Sequence, residues 1–337
     1  MNGQRILVAG GTGLVGANLT RRLAELGADV RASYHSRRPD GLPGEWVRSD
    51  FTELEGCLAA TNGMDGVFIC AAQTFGAKIM KEQPTALILP NLRINSGLLE
   101  ACRINGVKKV VFISSSTVYQ EAAHPIREDE LDLNRPPYEL YLGVGWMKRY
   151  IEQLARFYAA RYGMAIGIVR PTNMYGPHDK FEDDKSHVLP ALIKRALAKE
   201  DPYVVWGDGT TVRDFLYVED FVGDLLDIYA RACVCDPLNT AHGSAITIRE
   251  AVDVILRVCG HSIRPTYDAS KPNAIPYRML NTAKFEGLFG RKRRTPFEEG
   301  IRRTVAWYQA SGIASVESRR TPAHSPTPQP RSTVVAG

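Results

Sequence analysis

The chain has 337 residues, with 42 lysines and arginines against 37 aspartates and glutamates and 44% hydrophobic residues, a composition typical of an ordinary globular protein. A net charge of +5 over this length is too small and too dispersed to indicate nucleic acid as a partner. No apolar run approaches the ~20 residues of a membrane span, and Ile6–Ala9 is too short for a signal peptide, so we expect no membrane partner and a cytoplasmic protein. The six cysteines form no C-x-x-C pair and predict neither a disulfide framework nor a metal site.

Apolar runs of strand length alternate with segments of helical period through the first half of the chain. The predicted strands are Ile6–Ala9, Val30–Tyr34, Val67–Ala71, Val110–Ser114 and Ile166–Val169, and the predicted helices are Leu14–Leu26, Leu92–Arg103 and Trp146–Tyr162. Such alternation is typical of βαβ units. It predicts an α/β fold with a Rossmann-type doubly wound parallel sheet.

The pattern loosens after Pro171. A strand is predicted near Tyr203–Trp206, and helices near Val188–Ala198, Phe221–Arg231 and Ile248–Cys259. We interpret residues 1–171 as the cofactor-binding domain and 172–312 as mainly a smaller mixed α/β substrate-binding lobe whose chain crosses back to the sheet. Residues 313–337 are rich in Pro, Ser and Thr, which predicts a disordered tail. The four basic residues Arg291–Arg294 are interpreted as a surface cluster.

Three glycines follow the first predicted strand at the spacing of a dinucleotide-binding loop. Gly10 permits the tight turn, Gly13 lets backbone N–H groups approach a pyrophosphate, and Gly16 lets the helix pack on the strand. The placement therefore predicts a nicotinamide dinucleotide cofactor. The predicted loop contacts are Gly10, Thr12, Gly13, Leu14, Val15 and Gly16.

The end of the second strand distinguishes NAD from NADP, because a carboxylate there would bind the ribose hydroxyls and repel a 2′-phosphate. No acid stands at that position, and Arg37 and Arg38 follow it. Since a guanidinium pairs well with a phosphate, these residues favour NADP, with NAD as the alternative. Asp50 is predicted to face the adenine, and Ala71 and Ala72 to leave room for the ribose and phosphate.

The second half of the chain carries several specific motifs. They are Pro171–Asp179, Ser186–Leu192, Val205–Gly209, Arg213–Phe215 and Asp268–Pro272. With the glycine loop, they resemble the extended short-chain dehydrogenases/reductases and, within them, the GDP-L-fucose synthase family, from Arg5 to about Tyr308. The resemblance implies an NADP-dependent enzyme whose substrate is a nucleotide sugar, a GDP-sugar by preference. It also implies a cofactor contact at Pro171 and a homodimer formed through the two long helices.

The chemistry of this family requires a hydride path and a proton path. The resemblance assigns Ser115 as the serine that holds the sugar oxygen and Lys148 as the lysine that binds the nicotinamide ribose. The tyrosine expected four residues before that lysine is replaced by Val144, which cannot move a proton.

Tyr141 is the nearest substitute for the missing phenol. Gly143 and Gly145 each cost a helix about 1 kcal/mol relative to alanine, so a helix that begins only near Trp146 would leave Tyr141 on a loop, able to fold inward. The alternative interpretation is that Tyr141 is a packing aromatic.

The resemblance also implies an epimerisation pair and a set of substrate contacts. His187 matches the histidine of the pair, as an acid–base residue or as a structural hydrogen-bonding residue. Thr117 stands where the family has a cysteine, which puts double epimerisation in question. The implied substrate contacts are Asn173, Val188, Leu189, Trp206, Arg213 and Arg278.

These residues predict an NAD(P)-dependent nucleotide-sugar oxidoreductase or epimerase, acting as a 4-keto reductase or through a transient ketone. Its proton would come from Tyr141, Thr117 or an ordered water. Two alternatives stay open: a nucleotide-sugar dehydratase or oxidase with tightly bound NAD, and a non-catalytic nucleotide-binding or regulatory protein of the same fold.

Overall fold

The computed structural model describes residues 1–74, 83, 85–182, 186–271 and 275–312. The described strands are β1 (Arg5–Ala9), β2 (Asp29–Tyr34), β3 (Glu45–Arg48), β4 (Gly66–Ile69), β5 (Lys109–Ile113), β6 (Ala165–Pro171), β7 (Asn173–Tyr175), β8 (Val204–Trp206), β9 (Val212–Arg213), β10 (Phe215–Tyr217), β11 (Leu238–Thr240), β12 (Ile246–Thr247), β13 (Thr266–Asp268) and β14 (Tyr277–Arg278). The described α-helices are α1 (Leu14–Glu25), α2 (Leu54–Thr61), α3 (Ile88–Ile104), α4 (Leu142–Tyr162), α5 (Val188–Leu197), α6 (Val218–Arg231), α7 (Ile248–Val258), α8 (Ala283–Phe289) and α9 (Phe297–Ala310).

The central sheet has seven parallel strands in the order β11-β6-β5-β4-β1-β2-β3. The order reverses direction beside β1, and in doubly wound sheets a ligand binds at this switch point, beyond the carboxyl ends of the strands. The predicted Rossmann-type α/β fold is confirmed.

Helices cover both faces of this sheet, as the alternation of side chains along β1 requires. Ile6 and Val8 belong to a core shared with α1 and α6, whereas Leu7 and Ala9 belong to a core shared with α2, α3 and α4. Because successive strand residues point to opposite faces, an uninterrupted apolar strand is buried on both sides. This sandwich holds the strand ends rigidly where the site is built.

Within the described residues, the smaller lobe has its own core and three short sheets. β9 pairs with β12 and β14, β8 with β13, and β7 with β10. The lobe core includes Leu189 and Ile193 of α5, Ile255 of α7 and Ile301 of α9. After the first part of the lobe the chain returns to the central sheet, where β11 pairs with β6.

Several details differ from the sequence-based expectations. α4 begins at Leu142 rather than near Trp146, and the helices α2, α8 and α9 were not predicted. The basic cluster is partly built into the fold, because Lys292 and Arg294 both form ion pairs with the buried Asp224. The predicted tail, 313–337, lies outside the described residues. Within the described ranges, no helix has the length and apolar character to cross a membrane.

Candidate active site

The turn after β1 has no room for a side chain at Gly10 or Gly16, the first and last glycines of the dinucleotide-binding spacing. Gly10 has φ +88°, and a Cβ on it would lie 2.6 Å from the backbone of Ala71. A Cβ on Gly16 would lie 2.0 Å from the carbonyl oxygen of Gly10. At Gly13, the N-cap of α1, the nearest atom to such a Cβ is 3.8 Å away, and no acid lies in the first turn of α1. Open space therefore faces the positive end of the helix dipole, which is the environment a pyrophosphate requires.

The end of β2 carries exposed basic residues. Arg37 and Arg38 are both exposed, and the ion pair that Arg37 makes in the described structure is long, with N–O at 4.0 Å. Asp50, beyond β3, accepts hydrogen bonds from the N–H (2.9 Å) and the hydroxyl (2.7 Å) of Thr52, which lower the pKa of its carboxyl. Its carboxylate lies 4.0 Å from the ring of His35 at the end of β2.

The ends of β4 and β6 complete the predicted cofactor set. Ala71 is half-buried against Gly10, Ala72 is exposed, and Pro171 is buried as the last residue of β6. All three lie at the carboxyl edge of the sheet. The geometry of the loop and the exposed arginines fits a dinucleotide that carries an additional phosphate.

Ser115 lies just beyond β5, on a segment that α4 holds in place. Lys148 Nζ donates a 2.8 Å hydrogen bond to the carbonyl of Ile113 and lies 4.8 Å from the ring centroid of Phe112. Burial lowers the pKa of Lys148 to about 8. Ser115 Oγ accepts a 3.1 Å hydrogen bond from the N–H of Thr117, so its own O–H can donate to a substrate oxygen. The Thr117 hydroxyl is buried without a hydrogen-bond partner in the described structure.

Val144 lies within α4, one turn before Lys148, where the resemblance implies a tyrosine. The neighbouring glycine explains why the helix passes through this region despite the low helix propensity of its sequence. A Cβ on Gly145 would lie 2.6 Å from the ring of Pro137 and from the carbonyl oxygen of Thr117. Close packing of α4 on the Ser115 segment therefore requires glycine and outweighs its propensity cost.

Tyr141 is the N-cap residue of α4, and its phenol interacts with the guanidinium of Arg213 and with the charge of Arg278. The ring of Tyr138 lies 6.0 Å from that of Tyr141, between centroids. The charged side chain that interacts with Lys148 is that of Glu152 and does not belong to this cluster of Tyr141 and the two arginines. The structure thus brings Tyr141 to the arginines of the lobe rather than to Lys148.

Arg213 and Arg278 form a buried pair. They are register partners on the parallel strands β9 and β14 and are only 6% and 5% exposed. Arg213 donates to the carbonyl of Val212 (2.7 Å) and Arg278 to that of Gln120 (3.2 Å), yet neither forms an ion pair with any described residue. Burial lowers the pKa of both guanidinium groups, that of Arg278 to about 10. Two buried positive charges without a carboxylate partner create a strong site for an anion.

The other predicted substrate residues lie in or beside the lobe and differ in exposure. Asn173 is exposed and donates to the carbonyl of Asp214 at 3.1 Å. Trp206 and Val188 are exposed, at the end of β8 and the start of α5, whereas the side chain of Leu189 is buried in the lobe core. The side chains of Asn173, Trp206 and Val188 are therefore accessible to a ligand.

His187 is the half-exposed N-cap residue of α5. Its Nδ1 lies 3.8 Å from Oδ1 of Asp179, whose other oxygen is buried without a hydrogen-bond partner among the described residues. A carboxylate behind an imidazole can orient the ring. This arrangement is compatible with either role that the sequence left open for His187.

A buried polar network behind Ser115 was missed by the sequence reasoning. The carboxylate of Glu152 accepts a 2.5 Å hydrogen bond from the Ser114 hydroxyl and bonds of 2.9 and 2.6 Å from Arg170. Arg170 also donates to the Tyr119 hydroxyl at 2.8 Å, which donates to Asn239 at 2.7 Å. The network ties α4, β6 and β11 to the Ser115 segment. No local sequence signal reveals this network, because Ser114, Glu152 and Arg170 lie on different elements of the fold.

Comparison with known proteins agrees with this geometry. Residues 6–232 match the NAD dependent epimerase/dehydratase family. The chain belongs to that family. A GDP-L-fucose synthase of Escherichia coli (strain K12) is 32% identical over 327 residues, covering 91% of this chain and 97% of that protein. A dTDP-4-dehydro-6-deoxy-D-allose reductase of Streptomyces is 29% identical, covering 91% and 97%. The crystal structure of a GDP-L-fucose synthetase from Naegleria fowleri bound to NADP is 26% identical, with a TM-score of 0.76 and coverage of 92% and 95%. The predicted family is confirmed.

Proposed function

We propose that this member of the epimerase/dehydratase family is an NADP-dependent epimerase or reductase of nucleotide sugars, with NAD as the alternative cofactor and a GDP-sugar as the favoured substrate. The observation that carries the proposal is the buried pair Arg213 and Arg278. Two guanidinium groups without acid partners suit the diphosphate of a nucleotide sugar. The names of the relatives, which are a GDP-sugar synthase and a dTDP-sugar reductase, support the same substrate class.

The cofactor would lie at the carboxyl edge of the sheet. The N–H groups of Leu14 and Val15, at the start of α1, would hold the pyrophosphate, and Arg37 and Arg38 the 2′-phosphate. Lys148 would hold the nicotinamide ribose. When bound, the nicotinamide supplies or accepts the hydride at a ring carbon of the sugar.

The substrate would span the two lobes. Arg213 and Arg278 would bind the diphosphate, the exposed indole of Trp206 would pack against the base or ribose, and the Ser115 hydroxyl would donate to the oxygen of the reacting sugar carbon. This oxygen gains negative charge as a ketone is reduced, so a donor held rigidly by the preceding network lowers the barrier.

Assay of the purified chain with NADPH and a panel of 4-keto-6-deoxy nucleotide sugars tests the proposal. We expect NADPH oxidation, fastest with a GDP-sugar, and binding of GDP by calorimetry. Failure of the native chain to bind or turn over any nucleotide sugar would contradict it. Cofactor that remains bound through purification, without consumption of added NADPH, would instead support the dehydratase or oxidase alternative.

The valine at position 144 is the observation that favours a second candidate, a nucleotide-binding protein without turnover. If the native chain binds cofactor and nucleotide sugar but is inactive, and Val144→Tyr creates activity, this second function replaces the first. Steady turnover by the native chain excludes it.

Residues 1–171 would bind the cofactor and 172–312 mainly the substrate, in a cytoplasmic homodimer. Exposed aromatic and aliphatic side chains on α3 and α4 support the dimer, since large contiguous apolar surfaces are usually covered. They are Leu89, Trp146, Tyr150 and Phe157. Tyr150→Arg is expected to convert a dimer into a monomer in sedimentation equilibrium, and an unchanged mass would contradict this interface.

A further inference from the structure

Lys148 is a half-buried cation that forms no ion pair with any described residue. Its Nζ donates to the carbonyl of Ile113, two residues before Ser115, and lies over the ring of Phe112. In the described structure it forms no ion pair, although Glu152 stands one helical turn further along α4. A partly desolvated lysine without an acid partner holds its proton more weakly than a surface lysine.

The reason that Glu152 does not neutralise Lys148 is visible in the hydrogen bonds. Both oxygens of Glu152 are taken by Arg170 of β6, and one of them also by Ser114. The other cation of this part of α4, Arg149, is directed to the carbonyls of Val118 and Arg135. Glu152 therefore attracts Lys148 only at longer range, and burial still lowers the pKa of the ammonium to about 8.

The other candidates for proton transfer lie elsewhere or lack the chemistry. Tyr141 interacts with Arg213 and Arg278, Val144 has no proton to give, and the hydroxyl of Thr117 has no pKa near neutrality. The Lys148 ammonium, which is hydrogen-bonded to the carbonyl of Ile113 two residues before Ser115, carries a proton that it can give up.

We propose that Lys148 itself transfers the proton to and from the sugar oxygen held by Ser115, in place of the missing tyrosine. This inference rests on the proposed function. During reduction, one N–H bond of the Lys148 ammonium breaks and an O–H bond forms on the sugar oxygen, while the attached carbon receives the hydride that the nicotinamide supplies. The electron pair of the broken bond stays on Nζ, and water reprotonates the neutral amine. Oxidation of a hydroxyl runs through the same steps in reverse.

The Lys148→Arg variant distinguishes the effect of the positive charge from the effect of proton transfer. Arginine keeps the positive charge that the cofactor ribose would meet but cannot be deprotonated in a protein. We expect kcat to fall by ~100-fold or more, as for loss of a general acid, while the Kd for NADP, measured by fluorescence titration, stays unchanged. Lys108→Arg is the matched control, because Lys108 is exposed and pairs with Asp65; it should leave both quantities unchanged.

The pH dependence gives a second measurement. If Lys148 is the acid in reduction, its protonated form is populated below its pKa, so kcat should be constant at low pH and fall as the pH rises through about 8. Competitive acylation followed by mass spectrometry measures the pKa of the amine without any activity. Lys148 should titrate near 8, below the ordinary lysine value of about 10.4.

The outcomes distinguish this inference from the proposed function. Retention of kcat by Lys148→Arg, or titration of Lys148 near the ordinary lysine value, would overturn the proton role and leave the nucleotide-sugar function standing. Absence of any binding or turnover by the native chain would overturn both.

Discussion

Arg170, on the one hand, and the pair Arg213 and Arg278, on the other, are buried arginines that differ in whether a carboxylate accompanies them. Arg170, inside the Rossmann-type domain, is paired with Glu152 through two hydrogen bonds. Arg213 and Arg278, in the lobe, are as deeply buried but lie beside each other with no carboxylate partner among the described residues. Desolvating an unpaired charge is costly. The difference indicates that Arg170 stabilises the fold, whereas Arg213 and Arg278 form a binding site for an anion.

The largest effect, a loss of stability, is expected when the ion pair between Arg170 and Glu152 is broken. Arg170→Met leaves the carboxylate of Glu152 buried without its cation, which should lower the free energy of unfolding by about 3–5 kcal/mol. Chemical denaturation measures this loss. The double variant Arg170→Met/Glu152→Leu removes both charges and should recover most of the stability. A single variant as stable as the native chain would show that the pair is not a part of the fold.

The pair Arg213 and Arg278 is expected to respond in the opposite way. Arg213→Met or Arg278→Met removes a charge-assisted contact worth about 1.5–3 kcal/mol, so the Kd for GDP should rise by about 10- to 150-fold by the same estimate. Stability should be unchanged or higher, because an uncompensated buried charge is removed.

Calorimetric titration with GDP, together with denaturation, checks this second prediction. Arg257→Met is the control, since Arg257 lies in the lobe but is exposed and pairs with Glu298; it should not alter GDP binding. Unchanged GDP binding by both the Arg213 and the Arg278 variants would exclude the pair as the diphosphate site.

The parts of the fold and the site that the sequence predicted are those whose signals are local. The glycine loop needs only the spacing of Gly10, Gly13 and Gly16, because the atoms that exclude a Cβ at Gly10 and Gly16 belong to the same turn or to the adjacent strand end. Most strands of the central sheet were predicted for a similar reason, since burial on both faces makes them continuous apolar runs.

The parts that could not be predicted depend on contacts between distant segments. Arg213 and Arg278 are register partners across β9 and β14, and nothing in either local sequence shows that pairing. The start of α4 was misplaced because glycine propensity argued against a helix, whereas the helix is stabilised by the close approach of Gly145 to the Ser115 segment. Because α4 begins at Leu142, Tyr141 is its N-cap residue and does not lie on a free loop.

The smallest effect, on GDP binding, is expected on substitution of Tyr141. It tests whether this residue acts with the arginine pair of the lobe or with Ser115 and Lys148. In the structure its phenol lies close enough to Arg213 to interact with the guanidinium, so Tyr141→Phe should remove a polar contact worth about 0.5–1.5 kcal/mol and weaken GDP binding by about 2- to 13-fold. The same factor should appear in KM, with kcat unchanged, because the lost contact is made equally in the ground state and the transition state. Tyr162→Phe, at the exposed end of α4, should change neither. If Tyr141 supplied the proton instead, kcat would fall by ~100-fold or more while the Kd for GDP stayed the same, and the residue would belong with Ser115 and Lys148.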